Sequence, residues 1–313
     1  MRIAIVYPND KGAQKWRDAV AALARDAQVD IWEPGSAWQA DYAIGWAPSP
    51  EFFSSQPRLR AFFTTGAGVE HVIHNPKLPP ELPVVRVEDA GMGPQMVDYC
   101  RYEVLHWMQR RDEYAAQQAA GVWKQCAPSS REEWSIGVFG LGVLGRQVVS
   151  AFAADGFPVN AYSRSATTAE PNVRVFSEAH GPDQFEAFMR TTRVLAILAP
   201  LTPETQDKFD LKALQMLPAG SYVINIARGG LIVDEALLEL LDSGHLAGAA
   251  LDVFRQEPLP PKHRYWTHPK VRITPHAAAI TPIGPASTQI VAKIHRMARN
   301  EPVTGIIERT RGY

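Results

Sequence analysis

Cysteine is scarce in this sequence. Cys100 and Cys126 are its only two cysteines, too few for a disulfide framework or for a thiolate zinc site. We interpret both as free thiols, which is typical of proteins that fold in a reducing compartment. The cysteine content therefore predicts a cytoplasmic protein without structural disulfides.

An excess of charge of one sign and long hydrophobic runs are also missing. Lys and Arg number 32 and Asp and Glu number 33, which gives a formal net charge of -1. This balance excludes a basic field that would attract nucleic acid or an acidic membrane. No apolar run reaches the roughly 18 residues of a membrane-spanning helix, and the apolar start at residues 3–7 is too short for a signal peptide. We expect a soluble protein whose partner is a small molecule.

The 313 residues are enough for two hydrophobic cores. Short apolar segments that predict strands alternate throughout with segments of helical composition. The predicted strands of the first part are residues 3–7, 42–46, 61–64 and 84–87, and those of the second part are residues 135–139, 159–163, 194–198, 222–226, 249–253 and 271–274. The pattern predicts the α/β class with two doubly wound parallel-sheet lobes, the second of them a six-stranded Rossmann sheet.

Two helical segments define the expected domain boundaries. Residues 95–119 contain neither proline nor glycine and predict one long helix that crosses between domains. Residues 286–299 predict a helix that no strand of the second sheet needs, so we expect it to pack back on the first domain. The predicted organisation is a flavodoxin-like domain of residues 1–94 and 285–313, into which a second domain of residues 95–284, with the six-stranded sheet, is inserted.

Residues 136–145 combine an apolar strand with three closely spaced glycines. A helical segment follows, and in this context the spacing is typical of a dinucleotide-binding turn, where backbone N–H groups and a helix N-terminus bind a pyrophosphate. An ordinary strand-to-helix turn is the alternative. We expect the cofactor to be contacted by Gly140, Gly142, Val143, Leu144 and Gly145.

The next predicted strand ends in Ser163, Arg164 and Ser165. An enzyme selective for NAD carries an Asp or Glu at this point, which binds the ribose 2′-hydroxyl. No carboxylate is present, and a guanidinium between two hydroxyls is suited instead to a 2′-phosphate. The segment therefore predicts a preference for NADPH over NADH, with an ordinary solvated arginine as the alternative.

Three polar residues each follow a predicted strand of the second sheet: Arg228, Glu257 and His276. The carboxyl ends of parallel strands share one edge of a sheet, so these side chains should converge. Carbonyl reduction needs such a set, because His can donate a proton near neutral pH, Glu can orient an imidazolium, and Arg can bind a carboxylate and polarise a ketone. Singly, each has a structural alternative: a surface arginine, a solvated loop acid, or a histidine that satisfies backbone groups.

With these residues the chain resembles the D-isomer-specific 2-hydroxyacid dehydrogenases, and within them the glyoxylate/hydroxypyruvate reductase A group. The motifs that carry the resemblance are residues 140–145, 200–205, 225–230, 251–254, 257–258 and 274–281. The resemblance implies that Arg228 binds substrate, that His276 is the general acid and base, and that Glu257 supports it. It also implies that residues 1–94 and 285–313 form the substrate domain and residues 95–284 the Rossmann NAD(P)-binding domain, and that the protein is a homodimer.

The resemblance implies further contacts outside these three residues. Backbone N–H groups of Gly66-Ala67-Gly68 would hold the substrate carboxylate, and Trp46 would lie near the substrate. Pro200 and Asp252 would contact the cofactor, Asp252 at the nicotinamide amide. A core tryptophan and a structural aspartate are the alternatives at positions 46 and 252.

Metal binding is not expected. His71 and His74 are three residues apart, but no Cys, Asp or third His stands at ligand spacing, so we interpret both as structural.

The implied activity is the NADPH-dependent reduction of a small 2-oxo acid: glyoxylate to glycolate, or hydroxypyruvate to D-glycerate. Two alternatives stay open, a dinucleotide-sensing interaction protein of corepressor type and a dehydrogenase of another D-2-hydroxy acid. Residues 277–279 are three alanines where the wider family commonly has Ile or Val followed by Ala-Gly, and this difference leaves the substrate ranking open.

Overall fold

The computed structural model describes residues 1–165 and 172–310. The strands are β1 Arg2–Val6, β2 Gln28–Ile31, β3 Tyr42–Gly45, β4 Ala61–Thr64, β5 Val84–Val85, β6 Ile136–Phe139, β7 Val159–Ser163, β8 Val173–Ser177, β9 Val194–Ile197, β10 Ser221–Asn225, β11 Leu246–Leu251 and β12 Val271–Ile273. The helices are α1 Asp10–Leu23, α2 Pro50–Ser55, α3 Glu70–Ile73, α4 Met92–Met108, α5 Arg111–Ala119, α6 Val143–Ala154, α7 Gln184–Arg190, α8 Leu211–Gln215, α9 Asp234–Asp242 and α10 Ile283–Ala298. Within the described ranges, none of these helices has the length and apolarity needed to cross a membrane.

The chain forms two compact units. The first comprises residues Met1–Met92 and the segment from Thr281 onward, and the second comprises Gly93–Ile280. The first sheet has the strand order β2-β1-β3-β4-β5 and the second the order β12-β11-β10-β9-β6-β7-β8, with parallel pairing between neighbours. The predicted α/β class with two doubly wound parallel sheets is confirmed.

The second sheet has seven strands, so the prediction of six was wrong. The additional strand is β8, which pairs with β7 at the edge of the sheet. Edge position explains the error, because Val173, Arg174 and Val175 are only partly buried or exposed, so the segment does not form an apolar run. Edge strand β2 of the first sheet, Gln-Val-Asp-Ile, escaped prediction for the same reason.

The single helix predicted for residues 95–119 was also wrong, because the segment forms two helices, α4 and α5. Arg110 separates them with a left-handed backbone, φ 52°, and its N–H donates to the Trp107 carbonyl at 3.0 Å. Neither proline nor glycine marks the break in the sequence. The sides of the break differ in environment: α4 contributes Val97, Cys100 and Val104 to a hydrophobic cluster, whereas α5 has no buried residue.

Both faces of the second sheet are covered by apolar side chains. Along β9, Val194 and Ala196 belong to one hydrophobic cluster and Leu195 and Ile197 to another. All four are at most 1% exposed. Such alternation between two buried faces is the arrangement expected of a parallel sheet with helices on both sides.

The C-terminal segment belongs to the first unit. Helix α10 packs against α1, and beyond it the Ile307 N–H donates to the Val84 carbonyl at 2.8 Å. A partly buried ion pair supports this attachment: Lys293 Nζ lies 2.8 Å from Glu88 Oε2, and Thr304 Oγ1 donates to the same oxygen at 2.5 Å. The segment after α10 is therefore held by backbone and charged contacts together.

The ion pair makes the stability of the first unit depend on pH. Burial raises the pKa of the Glu88 carboxyl, but hydrogen bonds from Lys293 and Thr304 outweigh burial, and the net pKa lies below its usual range. The pair therefore stabilises the fold above the ordinary carboxyl pKa and loses this contribution as the pH falls through the lowered pKa.

We expect Lys293→Met to lower the free energy of unfolding at pH 7 by about 1–3 kcal/mol, because Glu88 loses its charged partner. The difference from wild type should shrink as the pH falls through the lowered pKa of Glu88, because the carboxyl is then protonated in both proteins. Urea unfolding at pH 7 and at lower pH measures both effects. Arg299→Met, which removes an exposed pair with Glu301, is the control and should change little. A difference that does not depend on pH would contradict this account.

Candidate active site

The seven strands of the second sheet share one register row near their carboxyl ends. Register partners across the sheet, from edge to edge, are Ile273, Leu251, Asn225, Ile197, Phe139, Tyr162 and Phe176. Because all strands are parallel, the residues beyond this row lie along one edge of the sheet. Every functional residue predicted for the second unit follows this row by at most six positions, and they are therefore brought to the same edge.

Two glycines of the turn after β6 are required by packing. Gly140 has φ 111°, and a Cβ there would lie 2.6 Å from the Ala199 backbone nitrogen. A Cβ on Gly145 would lie 1.9 Å from the Gly140 carbonyl oxygen. Both distances are shorter than any carbon contact allows, so these glycines let the start of α6 approach β6 and the loop after β9.

Gly142 differs from the other two glycines. It is exposed, its φ of -73° suits any residue, and no atom lies within 4 Å of an added Cβ. As the N-cap of α6 it has no side chain that could bond the free N–H groups of the first helical turn. A helix N-terminus with open space in front of it fits an anionic group, and a pyrophosphate would lie here without steric hindrance.

Ser163 is the last residue of β7, and Arg164 and Ser165 follow it. The Arg164 side chain is exposed, and the Arg164 carbonyl accepts a hydrogen bond from Ser177 Oγ at 3.2 Å, which anchors the turn to β8. Ser163 Oγ donates to the Ser165 carbonyl at 2.6 Å, so its proton is engaged within the turn. Of the three predicted 2′-phosphate ligands, Arg164 and Ser165 are exposed, whereas Ser163 is partly buried.

Pro200 begins the loop after β9. Thr205 Oγ1 donates to the Pro200 carbonyl at 2.8 Å and accepts from the Thr202 N–H at 2.8 Å. The loop is thereby closed on itself next to the glycine turn, since Ala199 is the residue that Gly140 approaches.

Glu257 and His276 are in contact. The distance from Glu257 Oε2 to His276 Nδ1 is 2.8 Å, and the other carboxylate oxygen accepts from the Phe254 N–H at 3.0 Å. The side chains are 37% and 45% exposed. A carboxylate at Nδ1 fixes the ring orientation and leaves Nε2 as the nitrogen that can exchange a proton with a bound molecule.

Asp252 is 1% exposed and immediately follows the register row. Its Oδ1 accepts from Thr274 Oγ1 at 2.6 Å and from the Ala277 N–H at 2.7 Å, and its Oδ2 accepts from the Ala278 N–H at 3.0 Å. This buried carboxylate therefore organises the segment that carries His276. Sequence reasoning assigned Asp252 a cofactor contact, with a structural aspartate as the alternative, and did not identify these hydrogen-bond partners.

Arg228 lies in a loop ordered by Asn225. The Asn225 side chain donates to the Arg228 carbonyl at 2.9 Å and accepts from the Ala227 N–H at 3.1 Å. The following residue, Gly229, packs so closely that a Cβ added there would lie 1.9 Å from the Phe254 carbonyl carbon. The loop that carries Arg228 and the loop that carries Glu257 are thus in direct backbone contact.

In the first unit, the loop after β4 contains Gly66-Ala67-Gly68. Among the described residues these three N–H groups have no acceptor, so they can bind an anion. A Cβ on Gly66 would lie 2.9 Å from the Trp46 indole, and on another side the Trp46 ring lies 3.6 Å, between centroids, from the ring of His71. Trp46 is half-buried, and so it lies beside the loop rather than inside the core.

His71 and His74 form no metal centre with other side chains. Throughout residues 1–165 and 172–310, no group of three or more His, Cys, Asp or Glu side chains is arranged to hold a metal ion. The His71 ring contacts the Trp46 ring at an interplanar angle of 31°, and His74 is exposed.

One residue near the site escaped sequence reasoning altogether. The hydroxyl of Tyr99, on α4, lies 2.9 Å from Thr274 Oγ1, which in turn contacts Asp252. These residues are 175 positions apart in the chain, and Tyr99 reads in the sequence as one more aromatic residue of an amphipathic helix. No local pattern could have indicated the contact.

Comparison with known proteins finds similar sequences over the whole chain. Residues 102–278 match the family model for the NAD-binding domain of D-isomer specific 2-hydroxyacid dehydrogenases. Glyoxylate/hydroxypyruvate reductase A of Salmonella typhi is 40% identical over 318 residues and 100% of both chains.

Solved structures extend the similarity to the whole fold. A D-isomer specific 2-hydroxyacid dehydrogenase from Xanthobacter autotrophicus Py2, in complex with NADPH and MES, is 33% identical with a TM-score of 0.93, over 100% of this chain and 99% of that one. An NADPH-dependent glyoxylate/hydroxypyruvate reductase from Sinorhizobium meliloti, in complex with NADP and sulfate, is 30% identical with a TM-score of 0.91 over the same shares.

The different environments of the glycines allow a matched test. We expect Gly142→Ala to leave the unfolding free energy within about 1 kcal/mol of wild type and to weaken NADPH binding by about tenfold or more, because its methyl group fills the space in front of α6. Gly145→Ala should instead destabilise the protein by about 1–3 kcal/mol through overpacking. Urea unfolding and calorimetric titration measure the two effects. If Gly142→Ala binds NADPH as tightly as wild type, the pyrophosphate does not lie at this helix end.

Proposed function

The chain belongs to the D-isomer specific 2-hydroxyacid dehydrogenase family, and on this basis we propose that it reduces glyoxylate to glycolate or hydroxypyruvate to D-glycerate with NADPH. It is an NAD(P)-dependent oxidoreductase that uses NADP. The single observation that carries the catalytic proposal is the 2.8 Å contact between Glu257 and His276 at the carboxyl edge of the second sheet. An acid of this kind is what the reduction of a ketone or aldehyde requires.

His276 acts as the general acid. When bound, NADPH supplies the hydride that reduces the carbonyl carbon. Negative charge then develops on the carbonyl oxygen, and the Nε2 proton of the His276 imidazolium is transferred to it. Glu257 stabilises the imidazolium before transfer and holds the ring in one orientation through Nδ1. In the reverse direction the same nitrogen accepts the proton of the 2-hydroxyl group.

Arg228 binds the carboxylate of the 2-oxo acid substrate and the neighbouring carbonyl oxygen. A guanidinium offers two parallel N–H donors, which suit a carboxylate, and it lowers the energy of the charge that develops on the carbonyl oxygen. The contact of Gly229 with the Phe254 backbone supports this role, because it couples the position of the Arg228 loop to the loop that carries Glu257.

We assign the first unit to substrate binding. The N–H groups of Gly66-Ala67-Gly68 would bind the carboxylate of the 2-oxo acid, as unoccupied backbone donors do with anions. Trp46 would provide an apolar wall for a substrate with a short side chain. The second unit would bind the dinucleotide through the glycine turn, through Pro200 and through Asp252. Within residues 1–165 and 172–310, Asp252 Oδ2 accepts one hydrogen bond, from the Ala278 N–H, and so can still accept one from a carboxamide.

A second copy of the chain would cover α5 and the segment after it. No residue of α5 is buried, and beyond it Val122 is 49% and Trp123 104% exposed. Apolar side chains presented in this way are typical of protein interfaces, and we propose a homodimer formed through residues 111–130.

We place the enzyme in the cytoplasm, since Cys100 and Cys126 are both free thiols.

Selectivity for cofactor and substrate is measured in one steady-state experiment. We expect kcat/KM to be higher with NADPH than with NADH. Among glyoxylate, hydroxypyruvate, pyruvate and phenylpyruvate, we expect kcat/KM to be highest with glyoxylate or hydroxypyruvate. Arg164→Ala should reduce the preference for NADPH by about 10–100-fold, because a charge-assisted pair with the 2′-phosphate is lost. Arg190→Ala, which removes an exposed arginine paired with Glu186, is the control. A preference for NADH, or for phenylpyruvate, would refute the assignment.

The role of His276 has its own test. His276→Ala should lower kcat by about 10²–10⁴-fold, as expected when a general acid is lost, and should leave the dissociation constant of NADPH within about twofold of wild type. The control is His268→Ala, which removes another histidine paired with a carboxylate, that of Asp242 at 3.2 Å. His268 precedes β12 and so lies away from the carboxyl edge of the sheet, and we expect His268→Ala to retain kcat. Near-wild-type kcat in His276→Ala would exclude His276 as the acid.

A further inference from the structure

His276 has an unusual backbone. Its φ is 54°, a left-handed conformation that is unfavourable for a residue other than glycine. Two hydrogen bonds hold it there, since the His276 N–H lies 2.8 Å from the Asp252 carbonyl and 3.1 Å from the Thr274 carbonyl. The conformation turns the chain sharply after β12, and the imidazole is thereby directed toward Glu257.

The Asp252 carboxylate completes this turn. The N–H groups of Ala277 and Ala278 both point at it, at 2.7 and 3.0 Å. Three consecutive N–H groups, of residues 276–278, are thus bound by the backbone and side chain of one aspartate. Such a cluster of N–H groups favours a fixed negative charge, and with Asp252 1% exposed, that charge must be held by hydrogen bonds from the chain itself.

The remaining hydrogen bond to the Asp252 carboxylate comes from the hydroxyl of Thr274, which is in turn bonded to the hydroxyl of Tyr99. Thr274 Oγ1 lies 2.6 Å from Asp252 Oδ1, and an ionised carboxylate only accepts, so the threonine proton points at the carboxylate. Thr274 can then only accept from Tyr99, whose hydroxyl lies 2.9 Å away. Burial raises the pKa of the Tyr99 phenol, so it stays protonated and donates. The order Tyr99 to Thr274 to Asp252 is therefore fixed.

We propose that Tyr99 and Thr274 are positioning residues for His276, which act through Asp252 on the turn that carries it. The proposal rests on the function proposed above and extends it to two residues that do not touch the reacting atoms. The hydroxyl chain links helix α4 to the Asp252 carboxylate, and the carboxylate fixes the N–H groups on the C-terminal side of His276. Glu257 fixes the imidazole from the other side, at Nδ1. Ring and backbone of the acid are thus held independently.

Thr274→Val tests the proposal, because valine has the shape of threonine without its hydroxyl. We expect kcat to fall by about 10–100-fold, the range that small displacements of a catalytic group produce, whereas the KM for the 2-oxo acid and the dissociation constant of NADPH change by less than about threefold. Thr274→Ser restores the hydroxyl and should recover kcat to within about threefold of wild type.

Two further variants separate positioning from loss of stability. Thr192→Val removes another buried hydroxyl of the second unit, one that donates to the Phe188 carbonyl at 2.8 Å, and it should reduce stability without changing kcat. Tyr99→Phe removes only the first hydroxyl of the chain, and we expect kcat to fall by about 3–10-fold, because Thr274 keeps its bond to Asp252. A loss of kcat in Thr192→Val as large as that in Thr274→Val would overturn the proposal.

Amide hydrogen exchange gives a readout that does not depend on turnover. In the protein without substrate or dinucleotide, the amides of Ala277 and Ala278 should exchange faster in Thr274→Val than in wild type or Thr274→Ser, because their acceptor has lost one of its supports. Unchanged exchange together with unchanged kcat in Thr274→Val would overturn the positioning role. If the wild-type protein reduces no 2-oxo acid with NADPH, the proposed function fails, and the exchange rates alone decide whether the hydroxyl chain holds the turn.

Discussion

The shared register of the seven parallel strands is the constraint on which the proposed site depends. A parallel sheet places all carboxyl ends on one edge, and here one row of partners runs across the whole sheet from Ile273 to Phe176. The loops that follow this row carry the glycine turn, Arg228, Glu257 and His276. A shift of one residue in any strand would turn its side chains to the opposite face and move its loop away from the others.

Close contacts between loop backbones then fix the relative positions of the loops that the strand register brings to one edge. Gly140 and Gly229 lie in different loops, and at each a side chain would collide with the backbone of a neighbouring loop. The loops consequently support one another directly, without intervening side chains that could adopt other rotamers. Close backbone contact explains why glycine is required at these two positions. Gly142 differs from them, because the absence of a side chain there leaves room for a bound anionic group.

Sequence patterns were sufficient for features that repeat locally and insufficient for those that do not. The buried strands are apolar runs, and the doubly wound α/β class followed from them. Edge strands β2 and β8 are partly exposed and carry polar residues such as Asp30 and Arg174, so no apolar run marks them. The break at Arg110 has no proline or glycine, because it is imposed by packing that buries part of α4 and none of α5.

The candidate site shows the same limit at the level of single residues. Arg228, Glu257 and His276 were recognisable because their chemistry is rare just after buried strands, and the contact between the last two exists in the structure. Asp252 was recognisable only as a strand-end carboxylate, since its bonds to Ala277 and Ala278 depend on a left-handed turn at a histidine.

Tyr99 could not be found in the sequence at all, because its partner Thr274 is far away in the chain and the bond between them exists only once α4 has packed beside β12. Residues that perform chemistry therefore leave a local signal, whereas residues that hold them in place derive their role from tertiary structure. On the proposal made above, the fold determines both groups, because His276 has a left-handed backbone and would function as the general acid only while its hydrogen-bonded supports keep it there.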